Sequence, residues 1–182
     1  SGWIRATVED VKRTFDLVPE IKNLNLSIST SQQMIVGKFR GTKSQKQILD
    51  MATEAIDAAK AHGVESLGIN AEDASRTEMD FLLHFACTAR ERGANRVRYC
   101  DTLGYDTPMT IYDTCKHLAH ECGVPIELHC HGDLGMAVAN SVAGAMGVVD
   151  GGQDAYINTT VNGIGERAGN ADLVAVVLAL KY

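Results

Sequence analysis

The sequence has no apolar run approaching the roughly 20 residues that span a bilayer. It has no surplus of basic charge either. Its 17 Lys and Arg face 23 Asp and Glu, and the net charge of −6 leaves no basic footprint for nucleic acid. Membrane and nucleic acid are therefore excluded as partners. No signal-like stretch opens the sequence. Aromatics are scarce at 5%, against 45% hydrophobic residues and 17 glycines, which is an ordinary soluble α/β composition. The five cysteines (Cys87, Cys100, Cys115, Cys122 and Cys130) are odd in number and form no Cys-x-x-Cys pair. That pattern argues against a disulfide framework and for a reducing, cytoplasmic compartment. No low-complexity linker or internal boundary divides the 182 residues, so a single domain over 1–182 with a sizeable core is expected.

One alternation fills the chain. Strands are predicted at 25–29, 66–70, 96–100, 125–130 and 154–160. Helices are predicted at 46–62, 77–92, 110–122, 136–148 and 171–180. In the first helix Ile48, Met51, Ala52, Ala55, Ile56 and Ala59 recur at helical spacing, and Gly63 stops it. Strands that alternate with helices, with no hairpin turns between them, predict a parallel sheet.

Residues 127–135, Glu-Leu-His-Cys-His-Gly-Asp-Leu-Gly, are the most informative stretch. Side chains alternate along a strand, so Glu127, His129 and His131 point the same way. Two imidazoles and a carboxylate on one buried face are costly unless something cationic joins them. Neutral imidazole is the commonest protein ligand for divalent transition metals. His129 and His131 are therefore candidate metal ligands, with Glu127 beside them. The remaining histidines in helices, His62, His84, His117 and His120, lack such partners and read as surface or packing residues.

Further polar clusters follow the other strands: Asn70-Ala-Glu-Asp-Ala-Ser-Arg76, Asp101-Thr-Leu-Gly104 and Asn162-Gly-Ile-Gly-Glu-Arg-Ala-Gly-Asn170. Active sites gather at the C-terminal strand ends both in a (β/α)₈ barrel and in an open doubly wound sheet. Four clusters in succession favour the barrel, because closure brings every strand end around one mouth.

These four motifs, in this order, resemble those of the homocitrate synthase and 2-isopropylmalate synthase family. Its members are metal-dependent TIM-barrel enzymes that condense acetyl-CoA with a 2-oxo acid. Residues 98–102 (Arg-Tyr-Cys-Asp-Thr) and Glu127 look closest to the homocitrate branch. The resemblance implies an α/β fold: a partial TIM barrel whose parallel strands correspond to the fourth to eighth of the family. It implies a divalent metal (Zn, Mn or Mg) on His129 and His131, approached by Asn170. It implies Thr102, Thr160, Asn70 and Arg167 at the substrate and Glu72 and Glu127 in catalysis. Acetyl-CoA as co-substrate, 2-oxoglutarate as the favoured acceptor and a homodimer are further expectations. A related barrel lyase or aldolase, and a fragment that does not catalyse, are the competing readings.

Two readings stay open at the residue level. Glu72-Asp73 could cap the following helix. Arg167 could pair with its neighbours to shape the loop rather than touch substrate. Two departures from the family also stand out. Gly132 occupies a position that is usually Asn or Asp. The family's first strand, Asp-x-Thr-Leu-Arg-Asp-Gly, is absent, and Gly2-Trp3-Ile4-Arg5-Ala6 resembles the end of its third strand. The expectation is an incomplete barrel with two open sides that expose apolar residues, its missing strands carried elsewhere in a longer protein. An anionic Glu127 would also repel a second substrate carboxylate unless neighbours offset it.

Overall fold

A computed structural model describes all residues, 1–182. Six strands form one sheet: β1 (Gly2–Arg5), β2 (Asn23–Ser29), β3 (Ser66–Glu72), β4 (Arg96–Asp101), β5 (Ile126–Cys130) and β6 (Ala155–Ile157). Their order in space is their order in sequence, and every neighbouring pair is parallel. A doubly wound sheet would reverse direction at a switch point. This sheet never reverses, so it is an arc of a barrel. The outer sides of β1 and β6 are unpaired.

Seven helices connect the strands: α1 (Val8–Leu17), α2 (Gln32–Phe39), α3 (Gln45–Ala61), α4 (Met79–Glu91), α5 (Pro108–Cys122), α6 (Ala137–Asp150) and α7 (Leu173–Lys181). The longer ones start where local chemistry stops the backbone from doing anything else. Ser44 and Thr107 each accept a backbone N–H inside a capping box, and Pro108 opens α5. Gly123 ends α5 in the left-handed conformation.

Leu24, Leu26, Leu67, Ile69, Val97, Ile126 and Leu128 face the helices and are essentially fully buried. They pack against Ile48, Ala52 and Ile56 of α3, Phe85 of α4, and Ile111 and Leu118 of α5. The alternate residues of the same strands face the barrel axis and are mostly polar. The site is built on that inner face.

β1 falls on Gly2–Arg5, the segment that resembles the end of the family's third strand. Two helices carry too little periodicity to be seen in the sequence: α1 and α2 each bury a single residue, Val11 and Ile35. Their N-caps, Thr7 and Ser31, are the available signals. The strand expected over 154–160 is only Ala155–Ile157, because it has a single neighbour and pairs with it at three positions. Beyond it, Thr160 forms an isolated bridge with Asp172. The expectation of no disulfide is also corrected: Cys87 of α4 is bonded to Cys122 of α5. The two lie 35 residues apart and meet only because α4 and α5 pack side by side.

Apolar side chains are exposed at both open sides. Trp3, Leu17 and Val18 lie near β1, and Tyr156 of β6 and Val174, Val177 and Leu180 of α7 lie at the other end. No helix is long and apolar enough to cross a membrane.

Candidate active site

The C-terminal ends of the strands open into a cavity of about 660 Å³. Asn70, Glu72, Thr102, His129, His131, Thr160 and Asn170 all line it. These come from β3, β5, the residues just past the ends of β4 and β5, and the loop after β6, and strand register places them together. Asn70 is level with Arg98, and Cys100 with His129.

The histidine pair converges. The two rings lie 5.0 Å apart between centroids and nearly perpendicular. Burial, then the neighbouring His131 and Arg98, push His129 down to about 4. Burial, then Arg167, lower His131 as well. Both rings are therefore neutral near pH 7, the form that binds a metal. Nδ1 of His131 is buried and has no hydrogen-bond partner. An unsatisfied buried nitrogen is costly unless a ligand or cation meets it. Asn170 bridges to His131 through the backbone, and its Nδ2 donates to Cys130 O at 3.3 Å. Two neutral imidazoles and an adjacent amide thus fit part of a divalent-metal shell. No group of three His, Cys, Asp or Glu is assembled anywhere in the chain.

Glu72 is held as a carboxylate. Burial pushes it up, but hydrogen bonds from Lys38, Ser29 and Ser27 outweigh burial and leave it below its ordinary value. Ser27 Oγ donates to Oε1 at 2.8 Å and Ser29 Oγ to Oε2 at 2.7 Å. Lys38, from α2, forms an ion pair with the same group. Lys38 was not singled out from sequence because α2 was not visible there, and Ser27 and Ser29 were read only as part of the predicted strand 25–29. Asp73 does not cap a helix. It is fully buried, pairs with Arg76 at 2.6 Å and accepts from Ser31. Thr102 Oγ1 accepts the Asp73 N–H at 2.9 Å, so its own proton is free to be donated into the cavity.

Glu127 and Arg167 do not line the cavity. The cation that joins Glu127 is a pair of guanidiniums: Arg96 Nε donates at 2.9 Å and Arg98 Nη2 at 2.8 Å, with Asn158 Nδ2 at 2.5 Å. Burial raises this carboxyl, but Arg98, Arg96 and Asn158 together hold it below the ordinary carboxylate value. With its oxygens so engaged, it is placed to orient the arginines rather than to take a proton. Arg167 is committed to Asp133, at 2.7 and 2.9 Å, and to Thr102 O at 2.5 Å. It ties the 162–170 loop to the ends of β4 and β5, which is the loop-shaping reading.

The loop itself is drawn tight by glycine. Gly169 has φ +96°, and a Cβ there would sit 2.1 Å from Gly163 O. At Gly165 a Cβ would sit 1.8 Å from Asn170 Oδ1. The close approach lets Asn170 N donate to Gly163 O at 2.9 Å and Gly132 N to Gly169 O at 2.8 Å.

Seven buried side-chain atoms in the chain have no hydrogen-bond partner. Four belong to cavity-lining residues: Asn70 Oδ1, Arg98 Nε, His131 Nδ1 and Thr160 Oγ1. Buried polar atoms are seldom left unpaired, so their concentration here marks a surface built for a polar ligand.

The HMGL-like family model matches residues 1–182. The chain belongs to the HMGL-like family. It is 64% identical over 179 residues to a citrate (Re)-synthase of Dehalococcoides mccartyi, covering 98% of the chain and 43% of that protein. It is 44% identical over 181 residues to 2-isopropylmalate synthase 2 of Caldanaerobacter subterraneus subsp. tengcongensis, with 100% and 44% covered. The chain thus spans less than half the length of these relatives. In fold it is similar to a hydroxymethylglutaryl-CoA lyase from Pseudomonas aeruginosa. That match has a TM-score of 0.78 and 17% identity, and it covers 98% of this chain and 60% of that one.

Proposed function

We propose that this chain is the substrate-binding part of an acyl-CoA-dependent synthase that adds an acetyl unit to the carbonyl carbon of a 2-oxo acid. The observation that carries this reading is the convergence of the two neutral imidazoles and the unpaired polar atoms on one cavity. Membership of a family whose similar members are named synthases supports it.

His129, His131 and Asn170 would hold a divalent cation. When bound, it would polarise the 2-oxo carbonyl as a Lewis acid and offset alkoxide charge. Thr102, its oxygen already accepting from Asp73 N–H, donates its proton to the acid's 1-carboxylate. Asn70 Oδ1, an acceptor, and the Thr160 hydroxyl, a donor as well as an acceptor, are unpaired polar atoms placed to meet polar groups of the bound molecules. Glu72, fixed by Lys38 and the two serines, stays anionic and orients the mouth of the site. The glycine-lined loop brings backbone within reach of the same cavity.

The acceptor is a 2-oxo acid with a second carboxylate. The 64% identical relative is named for citrate, whose carbon skeleton minus an acetyl unit is a four-carbon 2-oxo diacid. A five-carbon diacid, 2-oxoglutarate, is the longer member of the same class. The homocitrate-like residues 98–102 favour it. The test is thiol release from acetyl-CoA by the complete gene product, with Mn²⁺ and a panel of oxaloacetate, 2-oxoglutarate, 2-oxoisovalerate and pyruvate. The reading expects a diacid to be consumed fastest. It fails if no 2-oxo acid releases CoA, and its diacid clause fails if 2-oxoisovalerate is preferred.

A further inference from the structure

We infer that Arg98 is the specificity-determining residue that receives the second carboxylate of the substrate, and that Glu127 and Arg96 hold it ready. The inference deepens the synthase reading and rests on it. Four charged or polar groups in two successive layers of the inner face form one hydrogen-bonded cluster: Asn25 and Arg96 level with Gly68, and Arg98 level with Glu127. Two guanidiniums against one carboxylate leave that cluster with a net positive charge. Glu127 is therefore outweighed, and a second anion is attracted rather than repelled.

The two arginines are not equivalent. Arg96 is fully committed. Its Nε goes to Glu127, its Nη1 to Ser66 Oγ at 2.9 Å and its Nη2 to Asn25 Oδ1 at 3.0 Å. Gly68 makes this possible, because a Cβ there would sit 2.2 Å from Asn25 Oδ1 and 3.3 Å from the Arg96 guanidinium. Arg98 gives only Nη2 to Glu127. Its Nε is buried without a partner, and the residue lines the cavity while Arg96 does not. Its side chain is 14% exposed, so its charge is poorly solvated. A carboxylate can take two hydrogen bonds from a guanidinium edge, the geometry that Arg offers and Lys does not.

Position agrees. Arg98 sits two residues before Cys100, which is level with His129. That is roughly 6.6 Å deeper along the strand. A substrate with its 2-oxo end at the histidines and its 1-carboxylate at Thr102 would turn its far end toward Arg98.

The test compares acids that differ by one carboxylate: oxaloacetate against pyruvate, and 2-oxoglutarate against 2-oxobutyrate. Binding is measured by calorimetry, and turnover in parallel, on the complete gene product and its R98M, R98Q and R98K variants. R98Q keeps a hydrogen bond to Glu127, so it remains informative if R98M does not fold. Diacid affinity should fall roughly ten- to hundredfold in R98M and R98Q, the worth of a charge-assisted hydrogen bond. Monoacid affinity should change less than about threefold, with R98K between wild type and R98Q for the diacids. Equal loss for both acids of a pair, or no loss for either, overturns the assignment. If the binding contrast holds but no acid releases CoA, the synthase reading fails and the carboxylate site stands.

Discussion

Replacing Gly169 with alanine tests whether close backbone packing of the 162–170 loop makes the site. The added Cβ would lie 2.1 Å from Gly163 O, a backbone atom that cannot swing aside as a side-chain tip can. The positive φ of +96° adds its own penalty. Gly152 is the matched control. Its φ is +84°, and a Cβ there meets nothing within 4 Å. Both variants carry the conformational cost, roughly 1–2 kcal/mol. G169A must also give up or stretch two backbone hydrogen bonds, Asn170 N to Gly163 O and Gly132 N to Gly169 O. At about 1 kcal/mol each, the total for G169A is about 3–4 kcal/mol. Most of the loop is exposed, so it can shift without opening the core. The damage should therefore appear mainly at Asn170 and the histidines. Urea unfolding should place the two variants within about 2 kcal/mol of each other. Calorimetric Mn²⁺ binding should fall at least about tenfold, or 1.4 kcal/mol, in G169A and remain at the wild-type level in G152A. Wild-type Mn²⁺ affinity and turnover in G169A would refute the claim that this contact positions the site.

Three more outcomes are expected. His129 titrates at about 4 in the folded chain against about 6.5 unfolded. The unfolded state therefore binds the extra proton first, and stability is lost as pH falls from about 6.5 toward 4. The loss should reach about 3 kcal/mol by pH 4 in metal-free protein, and H129Q should flatten that slope in urea titrations; an unchanged slope would sink the assignment. Cys87 and Cys122 should leave three thiols, not five, to react in unreduced, unfolded protein. Reduction should lower stability by about 3–4 kcal/mol on the chain-entropy estimate for a 35-residue separation; five reactive thiols would disprove the bond. G147A should destabilise by about 1–3 kcal/mol despite alanine's better helix propensity, because its Cβ would meet Tyr112 O at 2.3 Å; a raised unfolding midpoint would contradict the close packing of α5 on α6.

The chain's own pattern determined the α/β alternation, the parallel sheet and the strand-end clusters. The signals behind them are local. Apolar periodicity writes each element's buried face into a few consecutive residues, and His129-x-His131 needs only one strand to bring two imidazoles to one face. Gly63 and Gly123 likewise mark helix ends from sequence alone. Tertiary structure decided what the charged groups do, because that depends on register between strands far apart in sequence. Glu127 read as a partner of the histidines, yet pairing of β4 with β5 sets it between Arg96 and Arg98, 31 and 29 residues away. Lys38 meets Glu72 across 34 residues of chain, and α2, which carries it, buries too little to be visible in the sequence. Arg167 pairs with Asp133, 34 residues away, a contact that its own loop does not encode. Cys87 and Cys122 join because two helices lie side by side, which no cysteine spacing encodes. A strand's face follows from its own residues, whereas the partner of a buried charge follows from whichever neighbours the fold sets beside it, and burial makes that partner obligatory.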